Sequence, residues 1–268
     1  MNTFLSLIET IAAARRPARM LPVEQVLDAV ASRRFSMTYH PVVDQDGMTI
    51  AWRAKSGFWG EDGQSLSPSI VFALLHETPA LLLATELQLK SLAMTYAPAA
   101  GRLILSLDAD SYAVARQSDG NPFDRLFAGQ SRVVVEVCEN RPMMDVARLR
   151  YLLRCLSVQG IPLAAGRHTP VAIYRDDSFG EMDWVRVPCP PDWRDAHRIR
   201  AMAGIAEAAW HAGSIAYVSD VQTPEALALI YSIGFAAASG PVFSERTISV
   251  RPALPGVARG GLRVGSGI

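Results

Sequence analysis

The chain has 268 residues, half of them hydrophobic, and sets 26 basic against 26 acidic side chains. Neutrality removes the electrostatic footprint of a protein that grips nucleic acid or an anionic membrane, and no run of 18 apolar residues is present to span a bilayer. Length and apolar content suit one large α/β domain better than two small ones.

In chain order, Phe4, Ile8 and Ile11 recur at helical spacing with Leu5 and Ala12 beside them, which predicts an amphipathic helix over residues 2–15. Glu9 interrupts this stretch and no basic leader precedes it, so neither a secretory signal nor a membrane anchor is expected. Arg16-Pro17-Ala18-Arg19 breaks the helix, and a second one is predicted over 23–33, just after Pro22. A strand over 35–43, the turn Asp44-Gln45-Asp46-Gly47 and a strand over 48–54 then read as a hairpin. From there strands at 102–107, 132–137, 162–165, 184–187, 214–218 and 236–242 are separated by segments that carry helices at 67–77, 81–96, 142–158, 196–212 and 224–233. Thr223, Pro224 and Gly234 mark the last helix as N-cap, first helical residue and stop. Eight strands alternating with helices imply a (β/α)8 barrel. The tail after 251 is rich in glycine and poor in large apolar residues, and is expected to be flexible. The resulting layout is an N-terminal amphipathic helix and linker over 1–22, a barrel over 23–250 and a tail over 251–268.

Few side chains suggest chemistry of their own. Cys138, Cys155 and Cys189 are odd in number and widely spaced, without a Cys-x-x-Cys pair, which argues against zinc or disulfides and fits a reducing cytosol. His40, His76, His197 and His211 fall on predicted strands or helices with no partner at metal-ligand spacing. His168 sits at a strand end, where a general base or a phosphate contact would be placed. Glu136 and Glu139 face opposite ways if both lie on one strand.

Seven segments in order carry a resemblance: Trp52-Arg53-Ala54-Lys55, Ser106-Leu107-Asp108, Glu136-Val137-Cys138-Glu139, Gly166-Arg167, Val185-Arg186-Val187-Pro188, Val218-Ser219-Asp220-Val221-Gln222-Thr223 and Ser239-Gly240. Together with Tyr39-His40-Pro41-Val42-Val43-Asp44 they resemble the motifs of the EAL family of cyclic di-GMP phosphodiesterases over about residues 23–246. The resemblance implies a modified (β/α)8 barrel whose first strand is antiparallel. In active members it also implies two divalent cations held by carboxylates and an Asn, which lower the pKa of the attacking water and neutralise the phosphate. Here the naming Glu aligns with Arg53 and the Asn with Asp108, while the fourth-strand Glu is kept as Glu136. The Asp pair becomes Gly166-Arg167, the Lys becomes Arg186 and the following Asp becomes Pro188. The seventh-strand Glu residues become Ser219 and Gln222. A guanidinium about 4 Å from a divalent ion, at an effective dielectric near 20, repels it by roughly 8 kcal/mol. Arginine also offers donors only and cannot be a ligand.

No catalytic residue, metal or cofactor is therefore expected. If a nucleotide binds, Arg53, Asp108, Glu136, Arg167 and Arg186 are the residues expected to meet it, with the arginines taking the place of metal charge. Against this, the family's phosphate-gripping Arg aligns with Gly57 and its guanine-contacting Gln with Ser239. The alternative is that the arginines pair with Glu136, Asp108 and Asp220 inside a site that binds nothing. The loop Thr169-Pro170-Val171-Ala172-Ile173-Tyr174-Arg175-Asp176-Asp177 departs from the family's dimerisation loop, which leaves the oligomeric state open. The expectation is a catalytically inactive, cytoplasmic EAL-like regulatory protein that acts on a protein partner in bacterial signalling. A metal-independent cyclic di-GMP receptor is the alternative, and an enzyme of different chemistry built on Glu136 is a third.

Overall fold

A computed structural model describes residues 23–115, 120–138, 146–166 and 182–251, apart from the side chains of residues 138, 146 and 147. The helix expected at 2–15, the tail, Glu139, Arg167, His168 and the loop at 169–177 lie outside the described residues.

Helix α1 (Val23–Ala31) buries Val26, Ala29 and Val30 and leads to strand β1 (Phe35–Asp44). Asp44, through Gly47 at φ +78°, turns the chain into β2 (Thr49–Trp59). There follow β3 (Ser65–Leu66), α2 (Pro68–Leu75), α3 (Pro79–Thr95), β4 (Arg102–Asp108), α4 (Ala109–Val114) and α5 (Pro122–Phe127). Next come β5 (Val133–Cys138), α6 (Val146–Val158), β6 (Leu163–Ala165), β7 (Trp184–Pro188) and α7 (Ala196–His211). The described chain ends with β8 (Ile215–Ser219), α8 (Pro224–Ser232), β9 (Ala237–Ala238), a 3₁₀ segment (Pro241–Arg246) and β10 (Ile248–Val250).

The eight strands β1, β2, β4, β5, β6, β7, β8 and β9 close on themselves, while β3 and β10 sit at the margins. From β2 through β9 the barrel pairings are parallel, but β1 runs against both its neighbours. The seam that closes the barrel is short: Val43 faces Ala238 and Asp44 faces Ala237. Tyr231 reinforces it by donating to the carbonyls of Val43 and Asp44, as does Gln45 by donating to that of Phe235.

Strand alternation divides the core in two. Phe35, Met37, Tyr39, Leu105, Val135 and Val185 face the helices, and Val42, Ala51, Ile104, Val134, Ala164, Trp184, Tyr217 and Ala237 fill the barrel interior. Two residues further along β2, β4, β5, β7 and β8 the inward side chains turn polar: Arg53, Ser106, Glu136, Arg186 and Ser219. The site is this upper layer, resting on the apolar floor.

The expected strand order and six of the expected helices are present, with differences at the edges. β2 runs on past 54 to Trp59, because Lys55, Ser56 and Gly57 stay paired with Thr38, Met37 and Ser36. The strand expected over 236–242 stops at Ala238. Gly240 sits at φ +150°, where a Cβ would lie 2.3 Å from the Val221 nitrogen, and Pro241 then starts the 3₁₀ segment. Helices α4 and α5 were not expected, though Asp108 and Asn121 cap them through backbone amides. The predicted caps of α8 are present, with Thr223 Oγ1 accepting from Ala226 N and Gly234 at φ +101°.

Candidate functional site

The barrel mouth is built around one carboxylate. Glu136 lies on the central strand β5, 1% exposed, and both its oxygens are engaged by arginines from other strands. Arg53 of β2 donates from Nε to Oε2 at 2.8 Å. Arg186 of β7 meets Oε1 with Nε at 2.7 Å and Nη2 at 2.6 Å. Arg186 Nη1 also donates to Ser219 Oγ at 3.2 Å, and Ser219 Oγ in turn donates to Asp220 Oδ2 at 2.9 Å. Burial pushes the Glu136 pKa upward, but the two guanidiniums outweigh it and hold the carboxyl below its ordinary value. The site is thus a satisfied buried ion cluster.

Gly166, at the end of β6, makes room for it. A Cβ there would lie 1.9 Å from Glu136 Oε1, 2.8 Å from Glu136 Cδ and 3.0 Å from Arg186 Nη2. The position that the resemblance assigns to a metal-binding Asp is now filled by the Glu136–Arg186 pair. Asp220 adopts φ +64°, a left-handed conformation that few non-glycine residues take but Asp tolerates, and it turns the chain sharply at the end of β8.

Three further groups in the mouth escaped sequence reading. His40 lies directly across from Arg53 on β1, and burial, then Lys55 and Arg53, lower its pKa to about 4, so the ring is neutral at neutral pH. Lys55 is exposed, and no salt bridge or hydrogen bond joins its amine to another group among the described residues. Desolvation by the barrel wall and repulsion from Arg53 lower its pKa. Beneath them the buried Tyr217 hydroxyl has no hydrogen-bond partner among the described residues, and its pKa is raised by burial and by the Glu136 charge. No local spacing announces these neighbours, because a strand register brings them together.

Asp108 belongs to a second group, with His76. It ends β4, caps α4 by accepting from Asp110 N at 2.8 Å, and places Oδ2 3.2 Å from His76 Nε2. His76, which sequence spacing left without a partner, also has Nδ1 3.8 Å from Asp110 Oδ2, and Arg148 Nη1 donates to Asp110 Oδ1 at 2.8 Å. The expectation for His76 is thereby corrected, since packing of α2 against the end of β4 supplies carboxylates far away in sequence. His76, Asp108 and Asp110 each offer a ligand atom within 4.8 Å of the others. The two closest approaches fall on different ring nitrogens, so the carboxylates flank the imidazole, and one oxygen of each is already committed elsewhere. We expect EDTA to leave the melting temperature unchanged and excess Mn²⁺ or Zn²⁺ not to raise it. A metal-dependent rise in differential scanning fluorimetry that His76→Ala abolishes would instead make this group a cation site.

The two-cation centre implied by the resemblance does not fit the described residues. Glu136 has both oxygens in ion pairs, Gly166 has no side chain to ligate, and Arg53 and Arg186 bring positive charge to the positions where cations would be held. Of the five residues expected to meet a ligand, the structure joins Arg53, Glu136 and Arg186, sets Asp108 with His76, and leaves Arg167 outside the described residues.

No family model matches the sequence, and no curated protein matches it. The fold, by contrast, has clear relatives among solved structures. An EAL domain protein from Listeria monocytogenes EGD-e superposes with a TM-score of 0.67 at 12% identity, covering 83% of this chain and 92% of that one. The FimX EAL domain from Pseudomonas aeruginosa, solved bound to c-di-GMP, gives 0.63 at 14%, covering 82% and 94%. The Bacillus subtilis YkuI protein, with an EAL domain and in complex with c-di-GMP and calcium, gives 0.62 at 12%, covering 86% and 58%. At such identities the likeness speaks for architecture alone: the chain has the EAL fold, a (β/α)8-type barrel in which the first strand runs against the others.

Proposed function

We propose that this chain is a catalytically inactive EAL-like protein of bacterial cyclic di-GMP signalling, cytoplasmic, that regulates by binding another protein. The observation that carries the reading is the Arg53–Glu136–Arg186 cluster. It neutralises the retained carboxylate from within and occupies the space that ligands and a hydrolytic water would need. A barrel in this state still presents rigid outer helices, and Trp210 on α7, 80% exposed, is the kind of side chain that anchors protein contacts. No helix among the described residues is long and apolar enough to cross a membrane.

A second reading has its own support. Among the described residues the mouth sets Arg53, Lys55 and Arg186 against Glu136 and Asp220, which leaves one positive charge in excess there. That excess favours an anion, and a metal-independent cyclic di-GMP receptor would use it.

Two measurements on the same preparation decide between them. Incubation with cyclic di-GMP and Mg²⁺ or Mn²⁺ is expected to yield no linear dinucleotide, and turnover removed by Glu136→Gln would overturn the assignment as inactive. Calorimetric titration with cyclic di-GMP is expected to give no saturable heat in either Mg²⁺ or EDTA. Saturable binding that survives EDTA and is lost in Lys55→Met would install the receptor reading in its place.

A further inference from the structure

The whole chain carries two lysines, and their surroundings are opposite. Lys90 on α3 is 7% exposed, and its amine donates to Glu86 Oε2 at 2.6 Å. Lys55 is exposed at the barrel mouth, and among the described residues no hydrogen bond or salt bridge engages its amine.

The strand explains where Lys55 stands. β2 pairs with β4 as far as Ala54, so Lys55 is the first residue past that ladder, still held opposite Thr38 of β1. Alternation puts it on the inward face shared by Ala51 of the apolar floor and Arg53 of the ion cluster. This is the carboxyl end of a barrel strand, where such folds place their reactive groups. The amine feels the charge of Arg53 most, then those of Asp220, Arg186 and Glu136, which sets it over the cluster.

An amine so placed is reactive. Desolvation by the wall, and then Arg53, disfavour the ammonium and leave more free base than an ordinary lysine holds at neutral pH. Free base attacks carbonyl carbon, a reaction open to lysine and closed to the guanidiniums beside it. The neighbouring charge then selects the ligand. With Lys55 protonated, the described mouth sets three cations against two carboxylates, and a protonated imine keeps that excess. A ligand that brings its own carboxylate cancels it.

We propose that Lys55 is a covalent capture site for small anionic carbonyl compounds, the aldehydes and α-keto acids that bear a carboxylate. The amine nitrogen attacks the carbonyl carbon, the C=O π pair moves to oxygen, and the oxygen takes a proton from the nitrogen to give a carbinolamine. The hydroxyl then takes up the proton that the ammonium first released and leaves as water, while the nitrogen lone pair closes the C=N bond. An ammonium and a carbonyl thus become a protonated imine and water, and nothing is oxidised or reduced. The site is independent of whether cyclic di-GMP binds.

Glyoxylate with cyanoborohydride tests this on the intact chain, because reduction fixes the imine as a carboxymethyl amine that peptide mass spectrometry locates. Nα-acetyl-lysine in the same tube is the reference. At pH 7 Lys55 is expected to label about tenfold faster than the reference, through its freed amine and the pull of the mouth on an anion, while Lys90 stays unlabelled. In urea both lysines are expected to label at the reference rate. Asp220→Asn removes a carboxylate that favours the ammonium, and Asn tolerates the left-handed backbone at that position, so the Lys55 rate is expected to rise about twofold further. Labelling of Lys55 no faster than the reference would overturn the proposal, as would an unchanged rate in Asp220→Asn. Acetaldehyde in place of glyoxylate is expected to show a smaller advantage over the reference, and an equal one would overturn the assignment to anionic ligands.

Discussion

Glu136→Gln is expected to lower the unfolding free energy by about 3–5 kcal/mol, although the side chain keeps its shape. The figure is that for removing one member of a buried ion pair, where the partners remain in low dielectric without a counter-charge. Here two guanidiniums are left at once, Arg186 almost fully buried and Arg53 mostly so. Urea unfolding followed by tryptophan fluorescence reads the loss as a shift of the midpoint at constant slope. The control is a variant in which Arg53, Glu136 and Arg186 are all replaced by apolar residues of similar volume. It is expected to be much closer to wild type, since the cluster is costly to break but only modestly stabilising as a whole. A Glu136→Gln protein within about 1 kcal/mol of wild type, the usual limit of an exposed pair, would show that water reaches the cluster and screens it.

The same cluster sets an acid limit. The Glu136 pKa is held below the ordinary 4.5, and that of His40 is lowered from 6.5 to about 4. Both are depressed in the folded state, so each contributes stability that is present above its unfolded value and lost as pH falls through the folded one. His40 acts first, between about pH 6.5 and 4, and Glu136 follows below 4.5. A urea-midpoint profile from pH 7 downward should fall in that order, and His40→Asn should flatten only its upper part.

Gly166→Ala is the second large effect. The backbone there is not left-handed, so the cost comes from the collision of a new Cβ with Glu136 Oε1 and Arg186 Nη2. Overpacking of this kind costs about 1–3 kcal/mol, and a clash with both members of an ion pair belongs at the upper end. A double-mutant cycle separates the clash from other causes. In a Glu136→Ala background the alanine at 166 should cost little, giving a coupling energy of about 1–3 kcal/mol. Additive costs would mean that the glycine serves some purpose unrelated to Glu136.

The parts of this molecule that are local in sequence could be read from it. Thr223, Pro224 and Gly234 bracket α8, and the β-branched run at Val133, Val134 and Val135 announces a central strand. Helices α4 and α5, six residues each, are too short for a hydrophobic period to emerge, and only Asp108 and Asn121 signal them as caps. The site divides in the same way. Replacement of the carboxylates that the resemblance implies at 53, 166 and 219 is visible residue by residue. That the arginines would converge on Glu136 was one of two alternatives, since the partners lie 83 and 50 residues from it along the chain. His76 shows the limit most clearly. Nothing near it in sequence suggests a partner, and Asp108 and Asp110 arrive only when the barrel has formed.

The two-residue seam between β1 and β9 bears on how the protein is made. β1 can pair with β2 as soon as the hairpin leaves the ribosome, but its other edge waits for Ala237 and Ala238, almost two hundred residues later. Contacts so distant form slowly and late. Through most of synthesis the barrel is a curved open sheet whose first strand offers bare amides and carbonyls to any passing strand. Aggregation of nascent chains should therefore be governed by the interval before β9 and β10 emerge. Stop codons placed shortly before residue 237 should yield products far more dependent on chaperones than their length alone would suggest.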